Sequence, residues 1–414
     1  MNVHCSTFYA EGAAVNVSSI GGRLIGNLDR DQKGPEMQDS SRRRDFVLGG
    51  MAVLAASDLV PAADREIRTA SIGVGNRGTG LLKQSLQQPN VHIAAICDID
   101  PNARDRAQSL AQRDSPRSFS DYRQVLDLKD VDAVHIATPC YLHAEMAAAC
   151  LEAGKFVYCE KPLGITPEQV HKVVQAARRA KTFLQIGQQL RYFPVVRETV
   201  RQIHELHVIG EPFVIKAQRH SRPVPPESER SRPAWYKDVK LSGDLIVENA
   251  VHNIDVCNWI AASRPVSAYG HGKKYFPKPI PVGTEMMDGF SVEYIYENGM
   301  HLDYSQLYMH PRALKDLPNG QWYVIFGEKG AIELTHEAAQ LYHMDAESPL
   351  NLIDLSLAGK QENAMSEFYA CIREGRLPFA DITVGAIAAL TTIMGREAIY
   401  RQRSVTWKEL GVTL

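Results

Sequence analysis

Ile67-Arg68-Thr69-Ala70-Ser71-Ile72-Gly73-Val74-Gly75-Asn76-Arg77-Gly78 decides the fold of this chain. The apolar run 67–74 reads as a buried strand ending in glycines, and a helical pattern continues through Leu81 to Gln88. A strand, a G-x-G-x-x-G turn and a helix make the dinucleotide-binding fingerprint. Gly73 allows the tight turn, Gly75 lets a pyrophosphate approach the backbone, and Gly78 lets helix and strand pack closely. The helix N-terminus then faces the phosphates, with Asn76 and Arg77 beside them and Arg77 adding charge. Asp98 follows Gly78 by 20 residues, at the end of a second strand, Val91–Cys97. Its carboxylate is expected to accept hydrogen bonds from the ribose hydroxyls and to repel a 2′-phosphate, which favours NAD over NADP.

Outward from the fingerprint, strands and helices alternate. Val131–Ala137, Phe156–Cys159 and Phe183–Ile186 read as further strands. Helices are expected from Asp100-Pro101-Asn102 to about Gln112, over Leu142–Ala153, and over Pro167–Ala180 with Thr166 as N-cap. This spacing predicts a doubly wound parallel sheet. Beyond Gln188 the pattern changes. Helical stretches at Val195–His207 and Glu248–Ala262 alternate with strands at Pro212–Arg219, Val266–His271, Phe290–Tyr296, His301–Leu307, Trp322–Phe326 and Ala331–Leu334. Glu297-Asn298-Gly299 marks a hairpin. Helices at Glu362–Arg373 and Ile382–Arg401 lie near the end, and Pro223–Pro233 reads as a surface loop. The fold class is α/β: an N-terminal Rossmann domain with a doubly wound parallel sheet over 64–188, then a C-terminal α/β domain with a mainly antiparallel open sheet over 189–414.

The N-terminus carries a different signal. Arg43-Arg44-Asp45-Phe46-Val47-Leu48 precedes the apolar run Gly49–Ala56, the pattern of a twin-arginine export signal with cleavage after Ala62 or Ala63. Residues 37–63 are read as that signal peptide, and 1–36 as a non-native or disordered extension ahead of a true start at Met37. A basic tail before an ordinary helix is the bland alternative. Export by this pathway carries folded proteins, so the cofactor is expected to leave the cell tightly bound and to act in the periplasm, with the twin-arginine translocase as a transient partner. The seven cysteines (Cys5, Cys97, Cys140, Cys150, Cys159, Cys257, Cys371) are scattered, with no C-x-x-C pair, so neither a disulfide framework nor a metal site is expected. A net charge of −2 over 414 residues gives no footprint for nucleic acid. No unbroken run of 18 apolar residues marks a membrane span.

Two constellations carry chemistry. Glu160-Lys161-Pro162 sits at the carboxyl end of a strand, where open α/β sheets bind ligands. A lysine there can polarise a hydroxyl or carbonyl beside the nicotinamide. By itself it reads better as a surface lysine in a turn. Glu248 and His252 are spaced i, i+4, with Asp255 one turn on. On one helix face the carboxylate would orient the imidazole and raise its proton affinity, suiting a base that takes a hydroxyl proton. From spacing alone, a surface Glu–His pair fits better.

Together these residues resemble the glucose–fructose oxidoreductase/inositol dehydrogenase (Gfo/Idh/MocA) family from about Glu66 onward. The resemblance rests on the fingerprint, Ala137-Thr138-Pro139 with His143, Glu160-Lys161-Pro162, Gly187-Gln188-Gln189-Leu190-Arg191, and the helix bearing His252 and Asp255. It implies an NAD-dependent dehydrogenase acting on a sugar, polyol or glycoside, with Lys161, His252 and Glu248 as its catalytic set. Glu248 stands where the family usually carries Asp, and Asn253 where an acid is common, which leaves the substrate open. Thr138, His143 and Gln189 match positions that line the nicotinamide half of the cofactor site, and Tyr141, Glu160 and Lys161 are further cofactor-binding candidates. Arg191, Tyr192, Trp235, Tyr236 and Asp255 are candidates for sugar contacts, although core packing explains them equally. The open sheet implies a homodimer or homotetramer. A redox-neutral NAD-dependent glycosidase resembling glycoside hydrolase family 109 is the alternative, and a non-catalytic sugar-binding protein a minor one.

Overall fold

The parallel sheet forms because its strands are apolar on both faces and each is followed by a helix that packs back over it. In the computed structural model, which describes residues 65–222, 233–275, 286–311, 313–314, 318–353 and 363–414, these strands are β1 (Ile67–Ile72), β2 (Val91–Cys97), β3 (Arg117–Phe119), β4 (Ala133–Ile136), β5 (Phe156–Cys159) and β6 (Leu184–Ile186). Their order is β3-β2-β1-β4-β5-β6, all parallel, with the direction of winding reversing between β1 and β4. The helices are α1 (Asn76–Leu86), α2 (Pro101–Leu110), α3 (Cys140–Glu152) and α4 (Pro167–Arg179). Asp100 caps α2 through the Asn102 amide and Thr166 caps α4 through the Gln169 amide, each with proline at the start of the helix. Strand β3 was not expected: its three residues are largely exposed and carry no apolar run. The twin-arginine segment, Met37 and the loop from Pro223 to residue 232 lie outside the described residues.

The second sheet has nine strands in the order β14-β13-β12-β11-β7-β10-β9-β8-β15. They are β7 (Pro212–His220), β8 (Pro265–Lys273), β9 (Gly289–Tyr296), β10 (His301–Leu307), β11 (Gly320–Gly327), β12 (Gly330–Leu334), β13 (Ala339–His343), β14 (Leu350–Asn351) and β15 (Val405–Thr406). All neighbours are antiparallel except β7 and β10, which are parallel. The hairpin at Glu297-Asn298-Gly299 joins β9 to β10, with Gly299 at a φ of 81°. The inner face buries Ile215, Tyr294, Leu302, Ile325 and Ile332.

Helices α5 (Pro194–His204), α6 (Asp244–Glu248), α7 (Val251–Ala261), α8 (Ala364–Glu374) and α9 (Ile382–Arg401) complete the chain. The helix expected over Glu248–Ala262 begins only at Val251, as α7, while Glu248 ends the preceding short helix α6, with Asn249-Ala250 between them. Helix α9 is long and apolar enough by composition to cross a membrane, yet it is the central core helix here, packed on β6 and α4 on one side and on β8 and β9 on the other. All described residues belong to one unit, Ser41–Leu414. The six described cysteines are buried free thiols, which suits small apolar packing residues.

Candidate active site

The residues singled out from sequence converge at the carboxyl ends of the parallel strands, beside the point where the winding reverses. Gly73 takes a φ of 80°, and a Cβ there would meet the Ala137 carbonyl at 2.7 Å. A Cβ on Gly78 would fall well inside contact distance of the Gly73 carbonyl. Gly75, by contrast, faces open space with nothing within 4 Å, and it is the N-cap of α1 without a side-chain cap. An uncapped helix N-terminus under a bare glycine is a cradle for a pyrophosphate, so this turn fits a dinucleotide. Asn76 and Arg77 are exposed at its rim.

Asp98 stands at the end of β2 and accepts hydrogen bonds from the Val74 amide at 2.8 Å and the Asp100 amide at 3.0 Å. One of its oxygens therefore braces the glycine turn itself, and a carboxylate retains lone pairs for further donors. Arg77 departs from expectation. Its Nε donates to Glu160 Oε1 at 2.6 Å, so the charge assigned to the phosphates is neutralised by a carboxylate from the end of β5. Glu160 in turn lies against Gly187, where a Cβ would come within 3.0 Å of the carboxylate.

His143, in the first turns of α3, places Nδ1 2.8 Å from the Pro162 carbonyl and Nε2 2.8 Å from the Thr138 carbonyl. It thereby ties the turn after β4 to the turn after β5. Burial lowers its pKa, although both carbonyls pull the other way. Tyr141 is half-buried beside it, and its carbonyl accepts from Gln169 Nε2 at 3.2 Å. Gln189 is exposed after β6, while its neighbour Gln188 is buried. The Lys161–Pro162 peptide bond is cis.

Lys161 Nζ donates to the Glu248 carbonyl at 2.6 Å and to Glu248 Oε1 at 2.8 Å, joining the first sheet to the end of α6. Burial alone would lower the lysine pKa, but Glu248 carries it above its ordinary value. Burial would likewise raise the Glu248 pKa, yet Lys161 holds the carboxyl below its ordinary range. The pair is thus an ammonium and a carboxylate, and one of the three ammonium donors remains for a ligand. Tyr236, on the helical turn Ala234–Lys237, hydrogen-bonds the same carboxylate, and the Trp235 ring lies 5.8 Å from that of Tyr236.

The expected Glu248–His252 couple is corrected by this geometry. The helix is interrupted at Asn249-Ala250, and the Glu248 carboxylate pairs with Lys161. His252 Nδ1 is buried with no hydrogen-bond partner among the described residues. Its pKa is pushed well down by burial and then by Lys161, Arg219 and Arg77, the reverse of the rise expected from sequence. His252 is a neutral imidazole.

Three proposed sugar contacts are also corrected. Arg191 and Asp255 form a buried bidentate pair, Nε–Oδ2 2.8 Å and Nη2–Oδ1 3.0 Å, with the guanidinium over the Trp259 ring. Tyr192 is buried and donates to Glu367. These side chains satisfy one another inside the core and present nothing to a ligand.

Sequence reading overlooked Arg219. On β7 its side chain shares the inner face with Ile215 and Ala217. The register sets it beside Gln306 of β10 and Gln321 of β11. Gln306 Nε2 reaches Asn249 Oδ1 at 2.9 Å, so this row faces the break between Glu248 and His252. A charged residue in the alternation Ile215, Ala217, Arg219 was the available signal.

Two family models match this chain. One, described as the oxidoreductase family with an NAD-binding Rossmann fold, matches residues 67–188. The other, the GFO/IDH/MocA C-terminal domain, matches residues 198–333. The chain belongs to the Gfo/Idh/MocA oxidoreductase family. An inositol 2-dehydrogenase of Salmonella typhimurium is 28% identical over 226 residues, 54% of this chain and 61% of that protein. A glycosyl hydrolase family 109 protein of Stenotrophomonas maltophilia is 38% identical over 139 residues, 30% of each chain. The chain spans about three-fifths of the length of the dehydrogenases and oxidoreductase first among the curated relatives it matches. Among solved structures, a levoglucosan dehydrogenase in complex with NADH superposes with a TM-score of 0.69 at 19% identity, covering 83% of this chain and 99% of that one. At that identity the likeness speaks to the fold.

Proposed function

We propose that this Gfo/Idh/MocA protein is an NAD-dependent oxidoreductase that oxidises a hydroxyl of a sugar, polyol or glycoside. The observation that carries the reading is a cationic Lys161 and a neutral His252 at the carboxyl edge of a sheet whose glycine turn fits a dinucleotide. The nicotinamide, when bound, supplies the hydride acceptor. His252 takes the hydroxyl proton, which its neutral ring can accept. Lys161 stabilises the developing oxyanion with its free donor while Glu248 fixes its position. Glu160 and His143 hold the turns around the nicotinamide position, and Trp235 and Tyr236 line the approach. The inositol dehydrogenase relative supports a polyol or sugar substrate.

The glycosyl hydrolase family 109 relative supports a second reading, in which a ring carbinol would pass a hydride to NAD, when bound, the neighbouring acidified C–H would lose its proton as the aglycone leaves, and the hydride would then return to the sugar. We further propose export of the folded holoprotein with its cofactor tightly held, as Arg43-Arg44 and the following apolar run suggest. A homo-oligomer formed on the outer sheet face, where Ile295, Phe326 and Tyr342 lie in one cross-strand row, completes the proposal.

The deciding experiment follows absorbance at 340 nm while sugars, polyols and aryl glycosides are added to the NAD-loaded protein, with products identified by mass. Lasting absorbance with an oxidised product supports the oxidoreductase. Released aglycone without lasting absorbance supports the second reading, and no product from any compound defeats both. Lys161→Met and His252→Asn should each lower kcat by about 10²–10⁴-fold while retaining NADH binding.

A further inference from the structure

The described ion pairs around the cleft cancel. Lys161 faces Glu248, Arg77 faces Glu160, and Arg191 faces Asp255. Arg219 is left over. It makes no hydrogen bond or ion pair among the described residues, yet it sits half-buried on the inner face of the sheet. Its cross-strand neighbours are neutral amides, Gln306 and Gln321, and Gln321 Oε1 is buried without a partner. The same face carries Tyr304, which donates to Gln306 Oε1 at 2.9 Å, and Tyr323, which accepts from Asn253 Nδ2 at 2.6 Å. Gln306 ties the Arg219 row to Asn249, and Tyr323 of the adjoining Ala217 row reaches Asn253, on either side of His252. The β7 alternation puts Arg219 on the inner face with Ile215 and Ala217, and its charge is felt at His252, Glu248 and His336.

A half-buried guanidinium with no partner among the described residues is a ready anchor for an anionic ligand. Its planar fork matches a carboxylate in bidentate fashion. The one Arg219 charge left over among the described residues balances a monoanion. A phosphate monoester, with nearly two charges at neutral pH, would leave one unmatched.

We propose that the substrate is an acidic sugar, a hexuronate or a glycoside of one, whose carboxylate is held by Arg219 while the hydroxyl to be oxidised lies between Lys161 and His252. This rests on the oxidoreductase reading for the reaction, but the binding claim stands separately.

The test pairs glucuronate and galacturonate with glucose and galactose, using the NADH-loaded protein. Calorimetric titration at low ionic strength should show each hexuronate binding at least tenfold more tightly than its neutral counterpart, the margin shrinking with added salt. Arg219→Gln should abolish that margin while NADH binding, read by fluorescence, is retained. Turnover of the same sugars, followed at 340 nm, tests the oxidoreductase reading independently. Equal affinity for acid and neutral sugar, a margin that survives in Arg219→Gln, or tighter binding of glucose 6-phosphate than of glucuronate would each overturn the proposal. Hexuronate binding without any turnover would sustain the Arg219 assignment and count against the reaction.

Discussion

The three fingerprint glycines serve different ends, and substitution separates them. Gly75 has an ordinary φ of −65° and open space in place of a Cβ. Gly75→Ala should therefore leave the melting temperature of the free protein unchanged while weakening NADH, measured by fluorescence titration, at least tenfold. Gly78→Ala forces a methyl group into the Gly73 carbonyl and should cost about 1–3 kcal/mol of stability before any ligand is added. Equal effects of the two changes on melting would contradict this division of roles. Residue type announced the fingerprint, Asp98, Lys161 and His252, because each depends on local order along the chain. It did not announce that Arg77 turns to Glu160 or that Arg191 turns to Asp255, since those partners arrive from 83 and 64 residues away.

At the scale of elements, boundaries were legible where caps and apolar runs coincide. Helix α9 occupies Ile382–Arg401 as read, with Asp381 accepting from the Thr383 and Val384 amides. The break between α6 and α7 was hidden, because the residues around it are apolar or helix-compatible throughout. The contacts at the break are tertiary: the Glu248 carbonyl accepts from Lys161 Nζ, and the Asn249 side chain accepts from Gln306 Nε2. Strands β13, β14 and β15 were overlooked because they are short and lie towards the sheet edges, where pairing rather than burial defines them. Inside α9, Gly395 lies against the Tyr294 hydroxyl, where a Cβ would overlap it. Alanine normally favours a helix over glycine by about 1 kcal/mol. Here Gly395→Ala should instead destabilise by about 1–3 kcal/mol, read from thermal melting, because the buried Tyr294 ring has nowhere to move.

At the scale of the whole molecule, buried neutral histidines set the acid limit. Burial pushes His135 down to about 3, and burial with the Arg219 charge pushes His336 down to about 4. His143 and His252 are lowered as well, by burial first. An unfolded histidine titrates near 6.5. Below that value the unfolded chain binds more protons than the folded one, so stability is fully present above about pH 6.5 and is lost as the pH falls towards 4 and then 3. Each such histidine adds a slope of about 1.4 kcal/mol per pH unit in that window. Urea midpoints should fall steadily from pH 7 to pH 5, and His135→Gln should lessen the slope by about one proton. A flat profile over that range would show that these rings are not held neutral.

His135 also shows where the parallel sheet is finished. Its Nε2 lies 2.9 Å from the hydroxyl of Tyr369, a residue 234 positions later, and Phe368 packs edge-on against the same ring. The outer wall of the cofactor-binding half is thus supplied by the last stretch of the chain. At about 5–20 residues per second, a ribosome needs on the order of ten to fifty seconds to make the intervening 234 residues. Throughout that interval the nascent first half carries an uncovered apolar face, so its completion waits for the end of synthesis. A chain cut short by premature termination would leave that face as bait for chaperones.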